Sequence, residues 1–256
     1  MLLVIDVGNT RTKWALVNEA GDLQEVQTCF NSDFAAAELK QSMKAATKVL
    51  VANVAGKAMA EQIAQIAQDL PLQFISAKDE ACGVINRYQQ PQTLGADRWA
   101  AMIAAWHMHK QPTIVVNAGT AITIDAIARD AGSKSGIFVG GNIIPGLRLM
   151  LELLGSNTAQ VKVISEGKTK VIFFPLSTQD AVHTGCMNAA VGAIILVLQQ
   201  LEKHCAYLPK LIISGGDAEK IAEALKPHIK RVMIVENLVL QGLALLNLES
   251  QEKEDV

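Results

Sequence analysis

The sequence predicts an α/β protein built from two similar halves. Short apolar strands alternate with helical segments along the chain, which is typical of sheets covered by helices. Hydrophobic residues make up 50% of the sequence, which is ample for large buried cores. An internal repeat relates residues 3–17 to residues 114–128. These observations predict an N-terminal half of residues 1–112 and a C-terminal half of residues 113–256.

The two copies of the repeat align without a gap when the sequence is shifted by 111 positions. Gly8 then matches Gly119, and Asp6 matches Asn117. In each copy an apolar strand leads into a polar residue, one spacer, a glycine and a second alternating strand. Because glycine beside polar residues favours a tight turn, each copy predicts a β-hairpin.

The remaining elements follow from hydrophobic periodicity. In the first half, strands are expected at 24–29, 48–53 and 72–76, helices at 33–45, 57–69 and 95–109, and a polar loop at 78–94. In the second half, strands are expected at 113–118, 121–128, 135–140, 210–214 and 231–235. Helices are expected after Pro145, at 176–204, at 217–226 and up to about residue 247, followed by a frayed charged tail.

Composition points to a cytoplasmic protein with a small-molecule partner. The net charge of −2 and the pI near 6.2 give no electrostatic reason to expect a nucleic acid or an anionic membrane. The apolar run at 189–198 is half the length of a membrane span, and no basic segment precedes the first strand. The cysteines lack the spacing of metal knuckles, so reduced, structural thiols are expected.

The glycine-rich turns favour phosphate as a ligand. Two such turns facing each other would form a cleft lined with backbone N–H groups and hydroxyls. Asp6 cannot attract phosphate, so its functional interpretation is a Mg²⁺ site, direct or through water. Lys13 could neutralise charge on a transferred phosphoryl group. The alternative is a plain hairpin turn with an Asx hydrogen bond.

Two further segments carry chemical groups. Gly215 and Gly216 follow a strand and would let a base or ribose approach the backbone, although a simple strand-to-helix turn capped by Asp217 is the alternative. Asp97 is either a base that accepts a hydroxyl proton or an ordinary acidic residue at a helix start. Arg98 is either a fork for a carboxylate or a surface residue.

Five motifs, in this order, resemble those of type III pantothenate kinases. They are DVGNT at 6–10, LGADR at 94–98, NAGTAITID at 117–125, GGNIIPG at 140–146 and SGGDA at 214–218. The resemblance implies two duplicated actin-like, ribonuclease H-like halves with mixed sheets flanked by helices and an ATP cleft between them. It also implies a homodimer that uses ATP and Mg²⁺ to phosphorylate pantothenate to 4'-phosphopantothenate, the first step of coenzyme A biosynthesis.

The resemblance assigns roles to individual residues. The ATP and phosphate residues would be Asp6, Gly8, Asn9, Thr10, Lys13, Gly119, Thr120, Ala121, Gly215 and Gly216. The pantothenate residues would be Tyr88, Gly95, Ala96, Arg98 and, across the dimer, Thr184. Asp97 would be the general base. Asn117 stands where the family usually has an aspartate associated with potassium or ammonium; it keeps a carbonyl oxygen but lacks the formal charge, which weakens a cation site.

Two other functions are compatible with the same residues. The chain could be a nucleotide-binding regulator that kept the fold without the activity, an idea motivated by Asn117. It could also be an actin-like kinase for a different small alcohol, because a fold does not fix the substrate. Binding of ATP without turnover favours the first of these, and a substrate panel separates the second.

Overall fold

The computed structural model describes residues 1–129, 132, 134–157, 174–205 and 207–254. The chain divides into two compact units. The first unit comprises Met1–Lys110, Asp130–Phe138 and Asn237–Val256, and the second comprises Gln111–Arg129 and Val139–Glu236. The division of the chain into duplicated halves at residues 112 and 113 stays a prediction.

The strands and helices are numbered along the chain. Up to His109 they are β1 (Leu2–Val7), β2 (Arg11–Val17), β3 (Gln27–Phe30), α1 (Ala36–Met43), β4 (Lys48–Asn53), α2 (Lys57–Ala67), β5 (Leu72–Phe74), β6 (Glu80–Ala81), β7 (Val84–Asn86) and α3 (Ala96–His109). Beyond it they are β8 (Thr113–Ala118), β9 (Ala121–Arg129), β10 (Gly136–Pro145), α4 (Leu147–Asn157), α5 (Thr178–Cys205), β11 (Lys210–Ser214), α6 (Ala218–Leu225), β12 (Met233–Ile234) and α7 (Leu238–Glu254).

The first unit is built on a mixed five-stranded sheet in the order β3-β2-β1-β4-β5. β1 is antiparallel to β2 and parallel to β4. Leu3, Ile5 and Val7 alternate along β1 and pack with Trp14 in one fully apolar core. Val4, between them, is also buried, and α7 packs against β1. A strand that is buried on both faces explains the continuous apolar run at the N-terminus.

Helix α3 lies very close to α7. A Cβ at Gly242 would lie 1.9 Å from the carbonyl oxygen of Ala100, so only glycine allows this approach. Trp99 and Trp106 of α3 are buried. The packing fixes the axis of α3 in the first unit, and with it the direction of its N-terminal residues.

The second unit contains a sheet in the order β12-β11-β8-β9-β10. β8 is antiparallel to β9 and parallel to β11. α5 packs against β9, and its residues Ile194, Leu198 and Leu201 belong to the core of this unit. By length and composition alone α5 could cross a membrane, but burial of these side chains is what a core helix requires.

The mixed sheets flanked by helices confirm the predicted fold class. The loop expected at 78–94 is wrong in part, because it contains β6 and β7. β7 pairs in parallel with the start of β10, a long-range contact that the local sequence does not encode. The last helix continues to Glu254 instead of fraying near 247. Within it, Glu249 accepts a hydrogen bond from the Cys82 N–H at 2.9 Å.

Candidate active site

The first hairpin places Asp6 directly opposite Lys13 in the sheet register. The predicted residues Gly8, Asn9 and Thr10 lie in the turn between β1 and β2, which is closed by a hydrogen bond from the Gly8 N–H to the Arg11 carbonyl at 3.0 Å. A carboxylate, an ammonium group and a glycine turn therefore stand together at one end of β1.

Asp97, at the start of α3, acts electrostatically on Asp6. Burial raises the pKa of Asp6 to about 7; repulsion from Asp97 adds to the rise, and attraction to Lys13 opposes it. Burial also raises the pKa of Asp97, while the N–H and the guanidinium of Arg98 oppose that rise. The Arg98 N–H donates to Asp97 Oδ1 at 2.8 Å. Two poorly solvated carboxylates in one region favour a cation or a proton between them.

Lys13 is held by a residue that sequence reasoning missed. Its Nζ donates to Asn237 Oδ1 at 3.1 Å. Asn237 has a positive φ of 54° and immediately precedes α7. Asparagine tolerates this left-handed conformation better than most residues, so the turn places its amide where Lys13 can reach it.

Arg98 is 5% exposed, which excludes the alternative that it is a surface residue. Its guanidinium carbon lies 5.9 Å from the ring centres of both Tyr88 and Phe138, and these rings stack at 5.8 Å. Cationic guanidinium groups are attracted to aromatic rings at this distance. The structure thus joins the predicted Tyr88 and Arg98, and adds Phe138, which carried no recognisable motif.

Gly95 and Ala96 shape the start of α3. A Cβ at Gly95 would lie 2.6 Å from Asp97 Oδ1, so glycine leaves room for the carboxylate to turn back to the helix N-terminus. Ala96 is buried. Asn86 orients the neighbouring segment, since its Oδ1 accepts from the Tyr88 N–H at 3.0 Å. The GADR motif and Tyr88 consequently form one connected structure.

In the second unit, the predicted glycine turns converge on the end of β8. Gly215 has a φ of 103°, and a Cβ there would lie 2.4 Å from the Ala118 carbonyl oxygen. Gly146, missed as a site residue, donates its N–H to the Thr120 carbonyl at 2.9 Å. The predicted residues Gly119, Thr120, Ala121, Gly215 and Gly216 are all exposed. This unit therefore presents open backbone that a ligand can approach closely.

The second hairpin has one residue fewer in its turn than the first. Asp6 faces Lys13 in the first hairpin, whereas Asn117 faces Thr123 in the second. The gapless alignment of the repeat is therefore wrong beyond its glycine, where the second copy slips by one position. Thr123, not Ile124, occupies the place of Lys13, and its Oγ1 is buried with no hydrogen-bond partner among the described residues.

Thr184 is buried in α5 of the second unit.

His, Cys, Asp and Glu side chains in the described part of the chain form no group of three or more that could hold a metal ion. Any Mg²⁺ at Asp6 would therefore need further ligands from water or phosphate, as Mg²⁺ commonly has.

The mixed sheets flanked by helices and the glycine turns define an α/β protein whose fold occurs in other solved structures. A Campylobacter jejuni protein assigned to the Baf family of transcriptional activators superposes with a TM-score of 0.61, at 22% identity, covering 99% of this chain and 100% of that one. A Listeria monocytogenes protein assigned as an N-acetylmannosamine kinase gives a TM-score of 0.54 at 14% identity, covering 98% and 99%. Both likenesses concern the fold alone.

Sequence comparison defines the family. The type III pantothenate kinase family model matches residues 2–200. The type III pantothenate kinase of Methylobacillus flagellatus is 43% identical over 250 residues, covering 94% of this chain and 96% of that protein. That of Aromatoleum aromaticum is 39% identical, covering 96% and 97%. The chain belongs to the type III pantothenate kinase family.

The raised pKa of Asp6 predicts a pH-dependent stability in metal-free and nucleotide-free buffer. Between about pH 4 and pH 7 the folded protein holds a proton that the unfolded chain releases, because the aspartate has its ordinary pKa of 3.8 there. Stability should therefore fall as the pH rises through this window, by an amount on the order of 4 kcal/mol, and level off above it. Asp6→Asn should remove this part of the pH dependence.

The measurement is urea unfolding of wild type, Asp6→Asn and the exposed control Asp69→Asn at pH 5 and pH 8 with a chelator. We expect the free energy of unfolding of Asp6→Asn, relative to that of wild type, to be higher at pH 8 than at pH 5. Parallel pH profiles for wild type and Asp6→Asn would contradict the assignment.

Proposed function

We propose that this chain transfers the γ-phosphoryl group of ATP to the primary hydroxyl of pantothenate, giving 4'-phosphopantothenate, the first step of coenzyme A biosynthesis. The observation that carries the proposal is the group formed by Asp6, Lys13, Asp97 and Arg98 in the first unit of a chain from this kinase family. Phosphoryl transfer to an alcohol requires a group that accepts the hydroxyl proton and cations that offset the phosphate charge. The two aspartates and the two basic residues of this group could supply both.

ATP is proposed to bind through backbone rather than through many charged side chains. Gly8, Asn9 and Thr10 would offer N–H groups and hydroxyls to phosphate, and Gly119, Thr120 and Ala121 carry groups of the same kind. The adenosine is proposed to lie at Gly215 and Gly216, where the absence of side chains leaves the backbone open.

Asp6 is the proposed Mg²⁺ residue. Its carboxylate is poorly solvated and repelled by Asp97, so a divalent cation would relieve an existing electrostatic cost. When bound, Mg²⁺ neutralises charge on phosphate oxygens. Lys13, held by Asn237, is proposed to stabilise negative charge that spreads over the transferred group.

Asp97 is the proposed general base. Burial raises its pKa and makes it a better proton acceptor, while the Arg98 N–H on Oδ1 fixes the carboxylate and leaves Oδ2 to take the hydroxyl proton. Arg98, with Tyr88, Gly95 and Ala96 beside it, is proposed to hold the carboxylate of pantothenate. A base and an anchor on adjacent residues would fix the distance between the reacting hydroxyl and the far end of the substrate.

Asn117 is proposed to relax the dependence on a monovalent cation. An amide oxygen still ligates potassium or ammonium, but it supplies no formal charge against which the ion is held. The opposite residue, Thr123, contributes a hydroxyl and no compensating carboxylate.

A cytoplasmic homodimer is proposed as the working form. Large apolar side chains are exposed on β10 and α4 of the second unit, namely Val139, Ile143, Leu149, Leu153 and Leu154. Exposed apolar surface of this kind is typical of subunit interfaces. In such a dimer Thr184 is proposed to close the partner's pantothenate pocket.

The first experiment is phosphorylation of pantothenate by the purified protein with ATP and Mg²⁺, in sodium, potassium and ammonium buffers. We expect turnover in all three, with rates that differ by less than about threefold because the site has lost its charge. Turnover only with potassium or ammonium would contradict the proposed effect of Asn117. Nucleotide binding without turnover would favour a regulator, and a panel of other alcohols would reveal a different substrate.

Asp97→Asn tests the general base. The variant keeps the shape and the hydrogen bond from Arg98 but cannot accept the hydroxyl proton, so kcat should fall by about 10²- to 10⁴-fold. The Kd for ATP should change little. Asp69→Asn, an exposed carboxylate in the same unit, serves as the matched control. Wild-type turnover in Asp97→Asn would remove Asp97 from the mechanism.

Leu153→Glu tests the proposed dimer. The introduced charge would have to be buried at the interface, so the variant should sediment as a monomer at micromolar concentrations where wild type is a dimer. Met108→Glu introduces the same charged residue at an exposed apolar position of the first unit and should leave the dimer intact. A dimer that survives Leu153→Glu would place the interface on another surface.

A further inference from the structure

Asn31 connects the end of β3 to the turn that is proposed to bind phosphate. Its Nδ2 donates to the Gly8 carbonyl at 2.7 Å, and its backbone N–H donates to the Thr10 carbonyl at 2.9 Å. Its Oδ1 accepts from the Thr12 hydroxyl at 2.8 Å. Thr12 is fully buried, so the acceptor end of the amide is fixed inside the first unit. One residue thus contacts three positions of the hairpin.

These contacts control the direction of a backbone donor. The carbonyl of one residue and the N–H of the next lie in one trans peptide plane and point in opposite directions. Because Asn31 draws the Gly8 carbonyl toward itself, the N–H of Asn9 must point away from Asn31. A rotation of this peptide would reverse both groups and turn a carbonyl oxygen toward any anion on the other side.

The Thr12 hydroxyl sets which end of the Asn31 amide faces Gly8. The hydroxyl donates to the amide oxygen, so the amide nitrogen is left to donate to the carbonyl of Gly8. Arg11 and Phe30 face each other where β2 pairs with β3, and the guanidinium carbon of Arg11 lies 4.4 Å from the centre of the Phe30 ring. The buried Thr12–Asn31 hydrogen bond and the exposed Arg11–Phe30 contact together hold the end of β3 against the turn.

We propose that Asn31 is a positioning residue for ATP, which orients the Gly8–Asn9 peptide so that the Asn9 N–H is presented to a phosphate group. This inference rests on the proposed function only in taking the 8–11 turn as the phosphate site. Asn31 itself does not contact the nucleotide. Its effect is to remove the entropy cost and the carbonyl repulsion that a free peptide would add to binding.

The test is calorimetric titration of Asn31→Ala with a non-hydrolysable ATP analogue and Mg²⁺, together with steady-state kinetics. We expect the Kd for the analogue and the KM for ATP to rise about 10-fold, equivalent to about 1.4 kcal/mol. The KM for pantothenate should stay within about twofold. A residue that served only stability would lower the active fraction and leave both KM values unchanged.

Asn18→Ala is the matched control. Asn18 braces the turn after β2, where its Oδ1 accepts from the Asp22 N–H at 2.8 Å, so the same type of contact is removed from the same sheet. Asn18 follows the last residue of β2, whereas the 8–11 turn joins β1 to the first residue of β2. We expect nucleotide affinity within about twofold of wild type in this variant.

Variants of Thr12 test whether the orientation of the Asn31 side-chain amide matters, because they leave Asn31 itself in place. Thr12→Ser keeps the donor and should keep most of the affinity for the analogue, whereas Thr12→Val should weaken it. The double variant Asn31→Ala/Thr12→Val should bind the analogue no more weakly than Asn31→Ala alone, because both substitutions remove the same Thr12–Asn31 hydrogen bond. Additive losses would overturn the proposed order of contacts.

The outcomes distinguish this inference from the kinase assignment. If wild type binds the analogue but does not phosphorylate pantothenate, the titrations still decide the role of Asn31. An unchanged Kd in folded Asn31→Ala overturns the inference while leaving the kinase intact. Absence of nucleotide binding by wild type overturns both.

Discussion

The charge balance of the candidate site depends on the burial of Asp6 and on its repulsion by Asp97. Burial alone would raise the pKa of Asp6, but the second carboxylate adds repulsion that Lys13 offsets only in part. A site with this imbalance favours added positive charge, which a divalent cation such as Mg²⁺ would bring. The uncompensated negative charge at Asp6 also lowers the stability of the ligand-free protein at neutral pH. Ionisable groups with perturbed pKa values are common at functional sites.

Packing of the backbone maintains that arrangement. Gly242 lets α7 approach α3 closely enough to fix Asp97 at the start of α3. The residue before α7, Asn237, holds Lys13, so the same helix influences both charges. Asn31 acts on the turn beside them. Asparagine serves in both supporting positions because a neutral amide can fix a donor or a carbonyl without changing the charge balance.

The helices and most strands could be predicted from local patterns, because apolar periodicity and glycine turns act within a few residues. The turn residues of both hairpins and the GADR motif were recognised for the same reason. β6 and β7 were missed because β7 depends on pairing with β10, far along the chain. Phe138 and Asn237 were missed because an ordinary strand residue and an ordinary loop residue acquire a role only through contacts with Arg98 and Lys13.

The sequence by itself determined the family and the fold class and supplied the residues that are proposed to carry the chemistry, because these reside in short motifs whose backbone geometry is locally dictated. Only the tertiary structure decided that Arg98 is buried against two aromatic rings, that Asp6 and Asp97 interact, and that the second hairpin turn is one residue shorter than the first. The physical reason is that solvation, charge–charge energy and strand register depend on distances between residues that are remote in the chain.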